Sequence, residues 1–345
     1  MNISPAYKEY LTIVMPLYGR FGCTDRVLKY MNDIEVPFRI LIADGGGENL
    51  ESWIKERNFS NLDIQYSFFG KDRSIIDYMD KMNSAFSMVS TPFSLIMDND
   101  DFISLPGVFK GISFLNNNPD YFSFRGGVFE LWLDKKASIY KTETIDNDSP
   151  FFRIKEGFMN LNPAWHNICH TSIRKLYFNI ISLSKTSDFQ LIQRFETFFH
   201  LLFGKSLQIP EMPFYFCGPD ESLIQNRNMY YKSNEWIHSP DIRDSIGLMI
   251  SFVGNYFGAS GLLPIDDAKI KWGHICLETV YKWAAHPYPN GSKLILDMVE
   301  YSKKFDNICI EATKEYAPLE LKPVDFPQAE ALSLDEEFNS KVKYL

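Results

Sequence analysis

The stretch SLIMDNDDFISLPG, residues 94–107, gives the most informative indication of the fold. An apolar run ends abruptly in Asp98-Asn99-Asp100-Asp101, and the chain then turns apolar again. Three carboxylates so close together repel one another unless a positive charge lies among them. The stretch therefore predicts a buried strand that ends either in a cation site or in a solvated loop.

The first 130 residues alternate between segments typical of strands and segments typical of helices. Strands are expected over 10–18, 38–44, 62–68 and 92–98, and helices over 24–34, 49–57, 74–90 and 104–118. Such alternation is typical of βαβ units around a parallel sheet, so the chain is predicted to have an α/β fold. Ligands of open α/β sheets bind beyond the carboxyl ends of the strands. Tyr18–Arg20, Asp44 and Asp98–Asp101 are expected to meet there.

The pattern changes after residue 120. Residues 121–145 alternate apolar and polar side chains and predict an antiparallel hairpin with its turn near 134–136. Residues 188–204 predict a helix that Asp188 caps, and 205–240, which contain four prolines, read as irregular. The remainder is predicted to be mostly helical, over roughly 242–258, 267–285 and 292–314.

Composition and charge exclude several classes of function. The chain has 345 residues, 45% hydrophobic content and a net charge of −9, which does not favour nucleic acid as a partner. Its five cysteines form no C-x-x-C pair, which favours reduced thiols in a cytosol. We find no signal peptide and no apolar run long enough to span a bilayer. A cytoplasmic protein is expected, and peripheral attachment to the inner face of the membrane stays open.

Several nucleotide- and metal-binding motifs are absent from the sequence. No G-x-G-x-x-G follows the first strand, and there is no P-loop, which argues against a dinucleotide-dependent oxidoreductase or a P-loop NTPase. His166 and His170 have the spacing of a helical zinc pair, but Pro163 and the lack of H-E-x-x-H argue against zinc. The aspartates fit Mg²⁺ or Mn²⁺, which favour carboxylate oxygens. Ser104 offers an independent cap for the next helix.

Three segments together resemble a known family: TIVMPLYGR (12–20), FRILIADGGGEN (38–49) and YMDKMNSAFSMVSTPFSLIMDNDDFI (78–103). In this order and at these separations they resemble the GT-A glycosyltransferases of the family 2-like branch. The resemblance implies the GT-A fold, a Rossmann-like, mostly parallel sheet flanked by helices, with a helical C-terminal extension. It implies a catalytic domain over 1–235, whose halves 10–130 and 131–235 bind donor and acceptor, and a helical region over 236–345.

The resemblance also implies roles for individual residues of the donor site. Asp44 would accept a hydrogen bond from the nucleobase, Asp98 would touch ribose or metal, and Asp100 would ligate the metal. Whether Asp101 replaces Asp100 as ligand stays open. Pro16, Leu17, Tyr18 and Arg20 would form a nucleoside wall, and Asn99 is expected beside them on the donor side. Arg73 could neutralise a diphosphate, with a solvated surface charge as the alternative. The alternative for Asp44 is a structural turn residue before three glycines.

The acceptor side is assigned with the same resemblance. An inverting transferase needs a base within reach of the acceptor hydroxyl. Glu196 is the first candidate because it borders an apolar helix face, and Asp188, which also fits a helix cap, is the second. Trp165 and His166 are expected to contact the acceptor. The alternatives are a packed aromatic at Trp165, a satisfied histidine at His166, and a simple contact of Glu196 with His200.

The resulting interpretation is a metal-dependent, single-displacement transferase. It would use Mn²⁺ or Mg²⁺ and move a sugar from a nucleotide-sugar, with a UDP-sugar favoured, to a saccharide or lipid-linked saccharide with inversion. The family further suggests bacterial surface polysaccharide synthesis. The alternatives are a sugar nucleotidyltransferase and a non-catalytic sugar-nucleotide-binding or scaffold protein. The C-terminal helices could support a homodimer.

Overall fold

The computed structural model describes residues 5–131, 137–140, 143–159, 164–217, 239–283 and 292–315. Within these residues the strands form one nine-stranded sheet, in the order β3-β2-β1-β4-β8-β6-β9-β5, with β7 paired to β6. The strands are β1 (Leu11–Leu17), β2 (Arg39–Asp44), β3 (Asp63–Phe68), β4 (Phe93–Ile96), β5 (Phe102–Ile103), β6 (Tyr121–Leu131), β7 (Ala137–Tyr140), β8 (Ile168–His170) and β9 (Lys205–Cys217).

The N-terminal half of the sheet is parallel, as the alternation of strand and helix predicted. β1 pairs with both β2 and β4, and β2 pairs with β3, all in parallel register. β1 is buried on both faces: Ile13 and Met15 face one hydrophobic core, while Val14 faces the other. In this register Leu17 lies opposite Asp44, so the chain leaves β1 and β2 at the same edge.

Helices cover both faces of the sheet. They are α1 (Phe21–Asp33), α2 (Glu51–Arg57), α3 (Ile75–Met88), α4 (Leu105–Asn117), α5 (Pro150–Met159), α6 (Thr171–Ser184), α7 (Phe189–Phe203), α8 (Pro240–Ala259), α9 (Ile265–Trp283), α10 (Ser292–Ser302) and α11 (Asp306–Glu315). Apolar residues of α1 and α4 pack into one core and those of α3, α6 and α7 into the other. Ser104 caps α4, as expected, by accepting a hydrogen bond from the Gly107 amide.

The prediction of an α/β fold with a mostly parallel sheet flanked by helices, and of a helical C-terminal region, is confirmed. The helices α8 to α11 extend the core formed by α5, α6 and α7, with Trp272 of α9 edge-on to Phe158 of α5. The boundary expected at 235/236 falls outside the described residues. The hairpin is confirmed by the antiparallel pairing of β6 with β7, while its turn at 134–136 is likewise outside them.

The prediction that residues 205–240 begin with irregular structure is wrong for 205–217, which form the long strand β9. One of its two prolines lies in a bulge: Gly126 pairs with Ile209, but the next residue, Gly127, pairs with Pro213. Residues 210–212 are therefore pushed out of the ladder, so the missing N–H group of Pro210 costs little there. Glycine is needed at 127, because a Cβ there would lie 2.2 Å from the Pro210 carbonyl oxygen.

Among the described helices, none combines the length and the apolar character that a membrane span requires.

A buried histidine makes the stability of this fold depend on pH. His170 ends β8 and lies between the rings of Phe93 and Phe122, each 5.0 Å away between centroids. Burial lowers its pKa to about 4, whereas an exposed histidine titrates near 6.5. Below pH 6.5 the unfolded chain therefore binds a proton that the folded chain excludes, and folded stability falls as the pH is lowered.

We predict that His170→Phe removes this part of the pH dependence. The wild-type unfolding free energy should fall between pH 7 and pH 5 by about 2 kcal/mol more than that of the variant, which has no ionisable group there. Urea unfolding at the two pH values measures the difference. An equal fall in both proteins would contradict a neutral His170.

Candidate functional site

The segments that follow β1, β2 and β4 lie side by side at one edge of the sheet. The Gly45 amide donates to the Leu17 carbonyl at 2.9 Å, and the Met97 amide donates to the Val14 carbonyl at 3.0 Å. The parallel register thus brings together Tyr18–Arg20, the Asp44 turn and the aspartate cluster. This convergence is the arrangement that the strand-end pattern predicted.

Arg20 joins the first of these segments to the third. Its guanidinium makes a two-point ion pair with Asp100, with donor–acceptor distances of 2.8 and 3.1 Å, and also donates to Asn99 at 3.1 Å. The Asn99 amide in turn donates to the Gly19 carbonyl and to the Thr24 hydroxyl. Arg20 adopts a left-handed backbone conformation (φ 56°) at the start of α1, which turns its side chain toward these partners. Both Asp100 oxygens are therefore engaged by Arg20.

A second group forms around the other two aspartates. Ligand atoms of Asp98, Asp101 and His166 all lie within 4.8 Å of one another, and Asp100 is not part of this group. Tyr215 of β9 holds the group together: its hydroxyl donates to Asp101 Oδ2 at 2.7 Å and accepts from the Asp98 amide at 3.2 Å. Its ring lies 4.3 Å from the His166 imidazole.

The properties of His166 fit those of a metal ligand. Burial, with a smaller contribution from nearby Arg125, lowers its pKa to about 3, so the imidazole is neutral and keeps a lone pair. Its Nδ1 atom is buried and has no hydrogen-bond partner among the described residues. Two carboxylates and one such nitrogen form a donor set that suits a divalent cation. The sequence had assigned His166 to the acceptor side, whereas the structure brings it to the aspartates.

Asp44 has the structure of the turn residue that the sequence left as an alternative. It is buried, and its carboxylate accepts from the Gly46 amide and from the Tyr66 hydroxyl, both at 2.7 Å. Burial and this hydrogen bond raise the pKa of Tyr66, so the phenol stays protonated and donates. Recognition of a nucleobase by Asp44 stays a prediction.

The remaining residues expected in the donor site differ in accessibility. Tyr18 is 55% exposed beside the strand ends, and Arg73 is also exposed. Pro16 is partly exposed within β1. The side chain of Leu17 is fully buried in the core, so its expected place in a nucleoside wall is wrong for the side chain. An exposed aromatic ring at Tyr18 offers a flat face for stacking.

The sequence analysis missed two buried, positively charged side chains at this edge. Lys81 of α3 is 3% exposed and donates to Asp72 at 2.5 Å and to the Leu17 carbonyl at 3.3 Å. Arg125 of β6 is 2% exposed and close enough to affect His166. The available signals were a lysine on the apolar face of α3 and an arginine inside an apolar strand followed by two glycines.

Trp165 and Glu196 belong to the interior rather than to an acceptor surface. Trp165 is 4% exposed and packs against Tyr78, Phe178 and Phe189, so the alternative of a packed aromatic applies. Glu196 has no exposed area and accepts from Arg174 Nε at 3.0 Å. A base must reach the acceptor hydroxyl. The partly shielded position expected for Glu196 at the edge of its helix face is therefore wrong.

Asp188, the second candidate base, lies at a more accessible position. It caps α7 by accepting from the Leu191 amide at 2.8 Å and remains partly exposed. Its neighbour Phe189 contacts Tyr78 edge-on at 6.0 Å, and the Tyr78 ring lies 4.8 Å from Lys81 Nζ. Burial raises the pKa of Tyr78, and the charges of Asp98, Asp72 and Glu196 add to the effect.

We predict that Glu196→Gln destabilises the protein by about 3 kcal/mol, because the buried Arg174 loses its counter-ion. Urea unfolding measures the loss. Glu51→Gln is the matched control: Glu51 pairs with Lys55 at 2.7 Å on the surface of α2, and its loss should cost less than about 1 kcal/mol. Equal losses in the two variants would contradict the role of the buried pair.

Comparisons with known proteins give a weak likeness in structure alone. No family model and no curated protein matches the chain. Among solved structures it is similar to residues 1–349 of S. aureus TarS, at 12% identity and a TM-score of 0.46, over 89% of this chain and 91% of that one. Similar values hold for TarS 1–349 in complex with UDP-GlcNAc (13%, TM-score 0.44, 89% and 91%) and with UDP (12%, 0.46, 93% and 98%).

Proposed function

We propose that this protein is a metal-dependent, inverting glycosyltransferase that moves a sugar from a nucleotide-sugar, with a UDP-sugar favoured, to a saccharide or lipid-linked saccharide. The observation that carries the proposal is the convergence of the segments after β1, β2 and β4 on one edge of an α/β sheet. That edge is where such sheets bind ligands, and here it presents an exposed aromatic ring, cationic side chains and a carboxylate–imidazole cluster.

The donor would lie along this edge. Tyr18 supplies a face on which a nucleoside can stack, and the partly exposed guanidinium of Arg20 supplies positive charge toward a diphosphate. Asp98 and Asp101 would hold the divalent cation, which when bound supplies charge stabilisation for the departing diphosphate. The aspartates need that cation for a second reason, because their own charges repel both each other and the donor.

Asp188 is proposed as the base that takes the proton of the acceptor hydroxyl. Inversion requires a single displacement at the anomeric carbon, so the acceptor and its base must face the donor sugar from the side opposite the diphosphate. Asp188 is a partly exposed carboxylate at the N-terminus of α7, where an acceptor hydroxyl can reach it. Phe189 contacts Tyr78, whose ring lies 4.8 Å from Lys81 Nζ at the sheet edge, whereas Glu196 is buried in the interior.

We expect the wild-type protein with Mn²⁺ to hydrolyse a sugar nucleotide slowly and to be stabilised thermally by the nucleoside diphosphate. UDP and UDP-GlcNAc are the first compounds to test, followed by a panel of sugar nucleotides. A sugar nucleotidyltransferase would instead release pyrophosphate from a nucleoside triphosphate and a sugar phosphate. Binding without turnover of any donor would favour a non-catalytic protein and contradict the proposal.

Asp188→Asn tests the base without removing the cap. Asparagine caps helices as well as aspartate does, so the variant should fold with wild-type stability, but its amide cannot accept the proton. We predict a fall in kcat for transfer of at least about 100-fold, with donor affinity retained. Steady-state kinetics and nucleotide titration measure both quantities. Transfer at the wild-type rate would remove Asp188 from the mechanism.

The biological setting remains part of the proposal. Synthesis of a bacterial surface polysaccharide, and a homodimer formed through the C-terminal helices, are expectations that follow from the family resemblance.

A further inference from the structure

We propose that His166 completes a three-residue cation site with Asp98 and Asp101, and that this site selects Mn²⁺ over Mg²⁺. The inference rests on the proposed function for the role of the ion, but not for the site itself. It departs from the D-x-D spacing in the sequence, which would pair Asp98 with Asp100.

The three ligands come from two separate parts of the chain. Asp98 and Asp101 follow β4, and His166 precedes β8, which is the antiparallel neighbour of β4 in the sheet. The pairing of these two strands brings the three side chains to mutual distances below 4.8 Å between ligand atoms. One cation can reach all three groups at that separation.

One ring nitrogen of His166 is available to a ligand. The buried Nδ1 atom of His166 has no partner in the described part of the chain, while the ring forms a hydrogen bond with the Ile96 backbone. Histidines that bind metals commonly donate their other ring N–H to a backbone carbonyl, which fixes the tautomer and aims the free nitrogen at the metal. A buried nitrogen without a partner is costly unless a ligand uses it.

Tyr215 fixes the relative positions of the three groups. Its hydroxyl binds the Asp101 carboxylate and the Asp98 amide, and its ring packs on His166 at 4.3 Å and an interplanar angle of 30°. Supporting contacts of this kind typically change metal affinity by about 10- to 100-fold when they are removed.

Asp100 has a different role in this arrangement. It is 5% exposed, like Asp101, but both its oxygens accept from Arg20. The two neighbouring carboxylates are thus divided between an ion pair and the cation site. The proposal therefore takes Asp101, and not Asp100, as the metal ligand.

The imidazole also determines which ion the site prefers. Mg²⁺ demands near-ideal octahedral geometry, favours oxygen ligands and keeps several of its waters, whereas Mn²⁺ belongs to the first-row series of ions that bind sites with mixed nitrogen and oxygen ligands. A site built from two carboxylates and one imidazole should therefore bind Mn²⁺ more tightly than Mg²⁺.

The test is a titration of the full-length protein with Mn²⁺ in the absence of nucleotide. Electron paramagnetic resonance measures the concentration of the free ion at each step. We expect His166→Gln and Asp101→Asn each to weaken Mn²⁺ binding by at least about tenfold. His274→Gln is the matched control, since His274 is exposed on α9, and it should bind like the wild type. Asp100→Asn should weaken binding less than Asp101→Asn, and Mg²⁺ should displace Mn²⁺ only in excess.

A second readout needs no variant. Pulsed electron paramagnetic resonance of Mn²⁺ bound to the wild-type protein should show modulation from a directly coordinated imidazole nitrogen, and His166→Gln should abolish it. Three results would overturn the proposal. They are the absence of that modulation, an unchanged Mn²⁺ affinity in His166→Gln, and a larger loss of Mn²⁺ affinity in Asp100→Asn than in Asp101→Asn. Mn²⁺ binding with the expected pattern but without donor turnover would leave this site standing and reject the proposed function. Donor turnover with Mg²⁺ that is equal in the wild type and in His166→Gln would support the proposed function and reject this cation site.

Discussion

The buried guanidinium of Arg174 is the interaction on which the site depends most. It has no exposed area and donates to Glu196, to the Ser94 carbonyl of β4 and to the carbonyls of Ala164, Trp165 and Asn167, at 2.8–3.1 Å. One side chain thus ties a sheet strand, a core helix and an irregular segment together. A cation in the protein interior is tolerated only with partners of this number and quality.

The segment that Arg174 holds is the one that carries His166. Residues 164–167 lack regular backbone pairing over most of their length, so their carbonyls need donors from elsewhere. Arg174 supplies these donors, and the Thr197 hydroxyl accepts from the Ala164 amide at 3.0 Å. Contacts in the core therefore position His166 relative to Asp98 and Asp101. Glu196 contributes to this positioning because it binds Arg174.

The parts of the fold that could be predicted from the sequence are those with a local signal. Periodicity and strand-end chemistry indicated the parallel sheet and the edge at which Tyr18, Asp44 and the aspartates meet. The strand Lys205–Cys217 was missed because Pro210 and Pro213 argue against a strand, and the bulge opposite Gly126–Gly127 that accommodates Pro210 arises only when the two strands pair. No short stretch of the sequence contains both strands, so local patterns could not reveal the bulge.

The details of the site depended in the same way on contacts between distant residues. Glu196 and Arg174 are 22 positions apart, Arg20 and Asp100 are 80 apart, and Tyr215 and Asp101 are 114 apart. Spacing alone could not show which aspartate Arg20 would engage, or that Glu196 would face inward. One signal in the sequence was available for the buried cations. An Arg or Lys within an apolar strand or on an apolar helix face predicts that this side chain has a buried partner, and Arg125 and Lys81 are such residues.

The most direct test of this account is a crystal structure of the protein with Mn²⁺ and UDP, with the ion located by its anomalous scattering. The account predicts a single strong anomalous peak at coordination distance from Asp98, Asp101 and His166, with the diphosphate against the same ion and the uridine beside Tyr18. A peak at Asp100 without His166, or UDP bound away from the edge where β1, β2 and β4 end, would contradict it.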